Sequence, residues 1–165
     1  MIDTIFQHSN HVNPNLWEFY FNDYTDIRYY MESISVPFIA FTPEVRNTGT
    51  KHITGYTPEN EFSITLHQDN EWKIFDYFYD WRKSIFDNKD KVFGNVNQVK
   101  TATFAIQELN DDNELEYSKA FEFENVLLLS ITDFTLDYNQ TENLKLTANL
   151  VADRVYEISP GSVRG

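Results

Sequence analysis

The stretch SITLHQDNEWKIFDYFYDWRKSIFD, residues 63–87, decides how the rest of the chain is read. Ile64 and Leu66 alternate with Ser63, Thr65 and His67, and Phe62 extends the apolar side. A period of two predicts a half-buried strand. After Gln68 the period changes. Ile74, Phe78, Trp81 and Ile85 fall in one narrow stripe at about 100° per residue, so the spacing predicts a helix over 70–87. Asp69 or Asn70 is the expected N-cap, with Glu71 in the first turn. Trp72, Phe75, Tyr79 and Phe86 form a second stripe, about 110–120° from the first. One sheet covers only one stripe. The second is covered either by loops of the same chain or by another subunit, because large exposed apolar patches mark interfaces. Trp72, Phe75, Tyr79 and Phe86 are therefore the candidate subunit-interface residues.

Working outward, LWEFYF (16–21) reads as a short aromatic strand and IRYYMESISVPF (27–38) as another, with Ile34, Val36 and Phe38 on one face. Residues 40–60 hold Pro43, Gly49, Gly55 and Pro58 and read as an extended hairpin or long loop. Beyond the helix, KTATFAIQEL (100–109) alternates around Ala102, Phe104 and Ile106. NDDNE (110–114) is a turn, and LEYSKAFEFENV (115–126) sets Phe121 and Phe123 against Glu122 and Glu124. Phe134, Leu136 and Tyr138 alternate with Thr135 and Asp137, and Leu144, Leu146, Ala148 and Leu150 make the cleanest strand. The polar residues 1–14 read as an N-terminal arm and 158–165 as a C-terminal tail of a single domain spanning 1–165. The expected fold is mostly β: an antiparallel sandwich or barrel with one α-helix.

Charge and motifs narrow the function. With 26 acidic and 13 basic residues the net charge is −13, which repels phosphate and disfavours nucleic-acid binding through a basic patch. Seven acids lie between Glu108 and Glu124 against the single base Lys119, a pattern also met in a plain solvated acidic face. There are no cysteines, so disulfides, thiolate chemistry and cysteine zinc sites are excluded together. His8, His11, His52 and His67 are scattered, without metal-ligand spacing. Nucleophile elbow, phosphate loop and glycine-rich dinucleotide turn are all missing. Asp111/Asp112 sit in a turn and Glu122/Glu124 are ordinary strand alternation, so no enzyme, cofactor or metal is expected. A long apolar run and a basic-then-apolar leader are also missing, so the expectation is no membrane segment and synthesis in the cytoplasm.

PNLWEFYF (14–21), FSITLHQDNEWKIFDYFYDW (62–81) and ITDFTLDYNQTENLKLTANLVADRVYEI (131–158) together carry a likeness in order and spacing. Over about residues 14–158 the chain resembles the tail tube protein of contractile-tailed bacteriophages, a family related in fold to the Hcp tube protein of type VI secretion. The resemblance implies hexameric rings that stack into a tube inside a contractile sheath, each subunit adding strands to a continuous barrel. It implies a helix packed outside that barrel near a neighbour, and a 40–60 segment that reaches the adjacent ring. Its partners would be further copies of itself, the sheath, baseplate and tape-measure proteins, in the tail of a virion, with DNA passing through without specific binding. If strand 119–126 lines the channel, Glu122 and Glu124 face the lumen, with Asp133 and Asp137 as further lumen-charge candidates. Six copies at −13 carry about −78 per ring, so DNA would slide rather than stick. Gly and Pro are missing around ENVLLLSITD, and the chain ends RVYEISPGSVRG. A baseplate-proximal or terminating tube protein, and a tube protein of a related injection system with protein cargo, are therefore alternatives. From another class, a soluble acidic accessory binding module remains open.

Overall fold

Where apolar alternation finds a buried partner in this protein, it forms a strand. In the computed structural model the chain is described over residues 16–36, 61–87, 89–90, 94, 98–132, 136–139 and 143–163, with backbone alone at 40–45, 51–57 and 92–93. The predicted arm, Asp133 and the end of the predicted tail lie outside the described residues.

Strand β1 (Trp17–Phe21) pairs antiparallel with β8 (Lys100–Leu109), and β8 with the 17-residue β9 (Leu115–Ile131). The last part of β9 pairs with β10 (Lys145–Val151), β10 with β5 (Glu61–His67), and β5 with β2 (Met31–Ser35). Strand β11 (Arg154–Ile158) returns to the first part of β9. Two faces result, joined through β9: a first sheet β1-β8-β9-β11 and a second sheet β9-β10-β5-β2. Strands β3 (Ala40–Val45) and β4 (Lys51–Thr57) form a separate hairpin, and β6 (Phe86–Asp87) pairs with β7 (Val92–Phe93).

The bend that turns one sheet into the other has a local cause. Asn125 adopts φ 51°, in the left-handed region that the short polar side chain of Asn tolerates better than most. Its Nδ2 donates to Asp153 Oδ2 at 3.0 Å, and the Asp153 N–H donates to the Glu124 carbonyl at 3.0 Å. Both strands of the β9/β10–β11 hairpin break at this level, as corner-forming strands do.

The core sits between the sheets. Phe62 of the second sheet meets Phe123 of the first at a ring separation of 4.8 Å, and Phe19 packs edge-on to both. Helix α1 (Lys73–Ile85) closes the side, burying Ile74, Phe78 and Trp81. Phe21 meets Phe78 and Trp81 edge-on, and the Trp81 indole N–H donates to the Gln98 carbonyl at 2.9 Å.

The helix is shorter than the periodicity predicts. Trp72, in the left-handed region at φ 61°, precedes its first turn, and the Asp69 cap acts at one remove. Gln68 Oε1 accepts from the Phe75 N–H at 3.0 Å and Asp69 Oδ1 from the Ile74 N–H at 3.4 Å, satisfying donors that would otherwise be orphaned. At the other end the Gly94 N–H donates to the Ile85 carbonyl at 3.0 Å, and a Cβ at Gly94 would collide with the Ser84 carbonyl.

Two strand expectations are corrected. Residues 27–30 belong to a 3-10 turn, Thr25–Tyr30, rather than to a strand starting at Ile27. Ile27 is buried, and Arg28 folds back, with Nε on the Thr25 carbonyl at 3.0 Å, Nη1 on Glu18 Oε2 at 2.9 Å and its guanidinium over Tyr20. The turn thereby packs against β1, and Tyr24 bridges to Phe21. The alternation around Leu136 and Tyr138 builds no strand among its described residues. Leu136 and Tyr138 are fully or largely exposed, and Asp137 Oδ1 accepts from the Asn139 N–H at 2.9 Å in a turn.

Candidate assembly interface

The second aromatic stripe of α1 lies where the sequence places it, except at its end. Phe75 stacks on Tyr79 with ring centroids 5.6 Å apart, and Trp72 meets Phe75 edge-on at 6.0 Å. Trp72 and Tyr79 are each 43% exposed, which for residues of this size leaves a broad apolar strip in water. Phe86 leaves the stripe. The helix has ended, and Phe86 stands half-buried in β6 opposite Phe93.

Tyr77 falls in neither stripe, and it anchors the helix to β1. Its hydroxyl donates to Asp23 Oδ1 at 2.8 Å, and its ring packs on Tyr24 and Phe21. Lys100 pairs with Asp23 and lies over the rings of Tyr77 and Trp81. Burial, then the charge of Asp23 and the bond to it, push the Tyr77 phenol well above its ordinary range. A signal existed: Tyr77 is the one aromatic on the flank between the apolar and polar faces of the helix.

A groove of about 360 Å³ runs beside the exposed strip, lined by Tyr79 and Arg82 of α1 and by Leu128–Ile131 of β9. Among the described residues, β9 beyond Val126 pairs with β10 only, so its other edge is open along this groove. At the opposite side of the same sheet, β2 pairs with β5 only among the described residues. The edge of β1 is blunted by the Thr25–Tyr30 turn, whereas among the described residues no strand covers these two. Every neighbouring pair from β2 to β9 is antiparallel, so β2 and β9 run in opposite directions.

Glu122 and Glu124 stand on the far side of the first sheet from the core, as alternation requires. Both are half-buried in a local network. The Tyr156 hydroxyl bridges Glu122 Oε1 at 2.5 Å and Glu124 Oε1 at 3.0 Å, and Arg154 Nη2 lies 2.5 Å from Glu124 Oε2. Donation to these two carboxylates, then partial burial and their charge, holds the Tyr156 phenol above its ordinary value. Asp137 sits in its exposed turn, apart from this pair. Among the described residues no three acidic or histidine side chains gather as a metal site, and no helix is long and apolar enough to cross a membrane.

No family model matches the sequence, and no curated protein matches it. Similarity in three dimensions is extensive. A chain of the sheath–tube complex of an extracellular contractile injection system, PVC, in the extended state superposes with a TM-score of 0.63. It is 17% identical and covers 94% of this chain and 97% of its own. A chain of the PVC sheath/tube terminator gives a TM-score of 0.68 at 15% identity, over 92% of this chain and 99% of its own. Hcp1 from Flavobacterium johnsoniae gives 0.51 at 13% identity, over 86% and 94%. The chain has the Hcp-like tail tube fold: a mostly antiparallel β protein with one main helix.

Proposed function

We propose that the protein is a structural subunit of the tube inside a contractile sheath, closing into six-membered rings that stack. The observation that carries this is the pair of open edges at opposite sides of one sheet. The β2 edge of one copy fits the β9 edge of the next in an antiparallel register, so a head-to-tail interface repeats until the ring closes. The neighbouring copy then lies against Tyr79 and the rest of the exposed row on α1, giving that row its cover. The fold similarity to tube proteins of injection systems supports the same reading.

In this role the chain associates with copies of itself, a surrounding sheath, and baseplate and tape-measure proteins. It is part of a tail or injection tube and has no catalytic duty. The conduit carries DNA in a phage tail, or protein in a related injection system. A terminating ring at the tube end is the second reading, drawn from the similarity to the PVC sheath/tube terminator. Electron microscopy of the purified protein separates them, since a tube subunit gives long stacks and a terminator gives single rings. Protein that stays monomeric at high concentration, with no rings on the grid, refutes both. Leu129→Glu places a charge on the open β9 edge. It should keep the far-ultraviolet dichroism of the native subunit while abolishing rings.

A further inference from the structure

The second sheet has two very different faces. Phe62, Ile64 and Leu66 of β5 and Leu146, Ala148 and Leu150 of β10 fill the core. On the far side, cross-strand register assembles one row of Ser35, Ser63, Asn149 and Ser130, and a second of Ser33, Thr65 and Thr147. All are hydroxyls but one, and that one is an amide. They bond to one another along the rows: Thr65 Oγ1 to Thr147 Oγ1 at 3.1 Å, and Asn149 Nδ2 donating to Ser130 Oγ at 2.9 Å. Charge stands only at the strand ends, as Glu61 at one and the Glu32–Lys145 pair, at 2.8 Å, with His67 at the other. A shallow hollow of about 250 Å³ draws its lining from all four strands, among them Ser35, Ser63, Asn149 and Leu129. This is what a sheet curved toward the hydroxyl side leaves.

We infer that this neutral hydroxyl-and-amide face is the wall of the channel, and that Glu122 and Glu124 point outward, away from the cargo. The inference rests on the ring reading above and follows from packing geometry. Six copies of a four-stranded sheet need a circumference of about 115 Å at 4.8 Å per strand, hence a radius of about 18 Å before tilt. The first sheet packs about 10 Å from the second, and a circle that much further in measures only about 50 Å. Six further four-stranded sheets do not fit inside it. The core, the first sheet and α1 must therefore lie outside, and the uncovered hydroxyl face must lie within. Across the middle of the wall the side chains are short, neutral and already bonded laterally, so they offer a moving chain no opposite charge to bind; the apolar residues of this face, Leu127, Leu129 and Val151, gather toward the Glu61 end of the strands. The wall passes cargo irrespective of the sign of its charge, and the acidity of the protein belongs to the surface that meets the sheath.

The absence of cysteine makes the test direct. Ser63→Cys and Glu122→Cys are each assembled into tubes and treated with a small maleimide, and separately with a maleimide coupled to a protein wider than the channel. Labelling of Ser63→Cys by the bulky reagent should fall by an order of magnitude or more on assembly, while the small reagent still reaches it. Glu122→Cys should react with both, assembled or not. Thr147→Cys, on the neighbouring row, should repeat the Ser63→Cys pattern and serves if that variant does not fold. Tubes with the opposite pattern, Glu122→Cys shielded and Ser63→Cys open, overturn the inference and leave the tube reading standing. Wild-type protein that forms no rings overturns both.

Discussion

Trp72 occupies a backbone conformation that suits glycine. At φ 61° an L-residue costs about 1–2 kcal/mol relative to ordinary regions, and this one exposes much of a large indole as well. Its edge-on contact with Phe75 returns about 0.5–1.5 kcal/mol. On the proposed ring reading, a neighbouring copy covers this indole. Trp72→Gly should keep subunit stability within about 1 kcal/mol of wild type by urea denaturation, yet raise the concentration needed for ring formation. Tyr77 is the opposite case, because its role is internal. Its phenol is held above the ordinary value of about 10, so on raising pH the unfolded chain loses that proton first. The stability it contributes is complete below about pH 10 and declines above it. Tyr77→Phe should cost about 1 kcal/mol at neutral pH through the lost bond to Asp23. It should also make the alkaline decline shallower in a denaturation series from about pH 8 to 11. Part of the decline should remain, since burial first of all also raises Tyr24 and Tyr117.

At the scale of the element, Asn125 sets the angle between the two sheets. Asn125→Gly preserves the left-handed backbone and should be nearly neutral, whereas Asn125→Val should cost about 2 kcal/mol or more, read from denaturant midpoints. Nothing in the sequence announced this bend. The alternation of Phe121 to Glu124 is legible, but Asn125 breaks the period and the next four residues, Val126–Leu129, are all apolar. A run of that kind has no face of its own until β10 arrives beside it, so the length of β9 and its open edge could not be read. The opposite holds at Leu136 and Tyr138, where the described part of an alternating stretch is an exposed turn. The helix is legible because its period is local, whereas the Gly94 contact that helps end it before Phe86 is distant in sequence and is not. The hairpin β3–β4 falls within the 40–60 segment read as an extended hairpin or long loop. Deleting Ala40–Thr57 should leave folded subunits that close into rings but do not stack, as seen by negative-stain microscopy. Tubes of normal length would refute its role between rings.

For the whole molecule, electrostatics oppose association. Each copy carries −13, and neighbours in a ring repel across distances comparable with the Debye length of about 8 Å at physiological salt. Ring and tube formation should therefore weaken in low salt and strengthen as ionic strength rises, measured by sedimentation velocity. The reverse trend would mean that ion pairs across the interface dominate. The two open edges have a genetic consequence as well. A copy spoiled at β9 but sound at β2 still joins a growing ring and then prevents its closure, so the defect is dominant rather than recessive. With one spoiled copy in ten, only about half of six-membered rings would contain none. Co-expression of Leu129→Glu with wild type would thus poison assembly well beyond its share of the subunits.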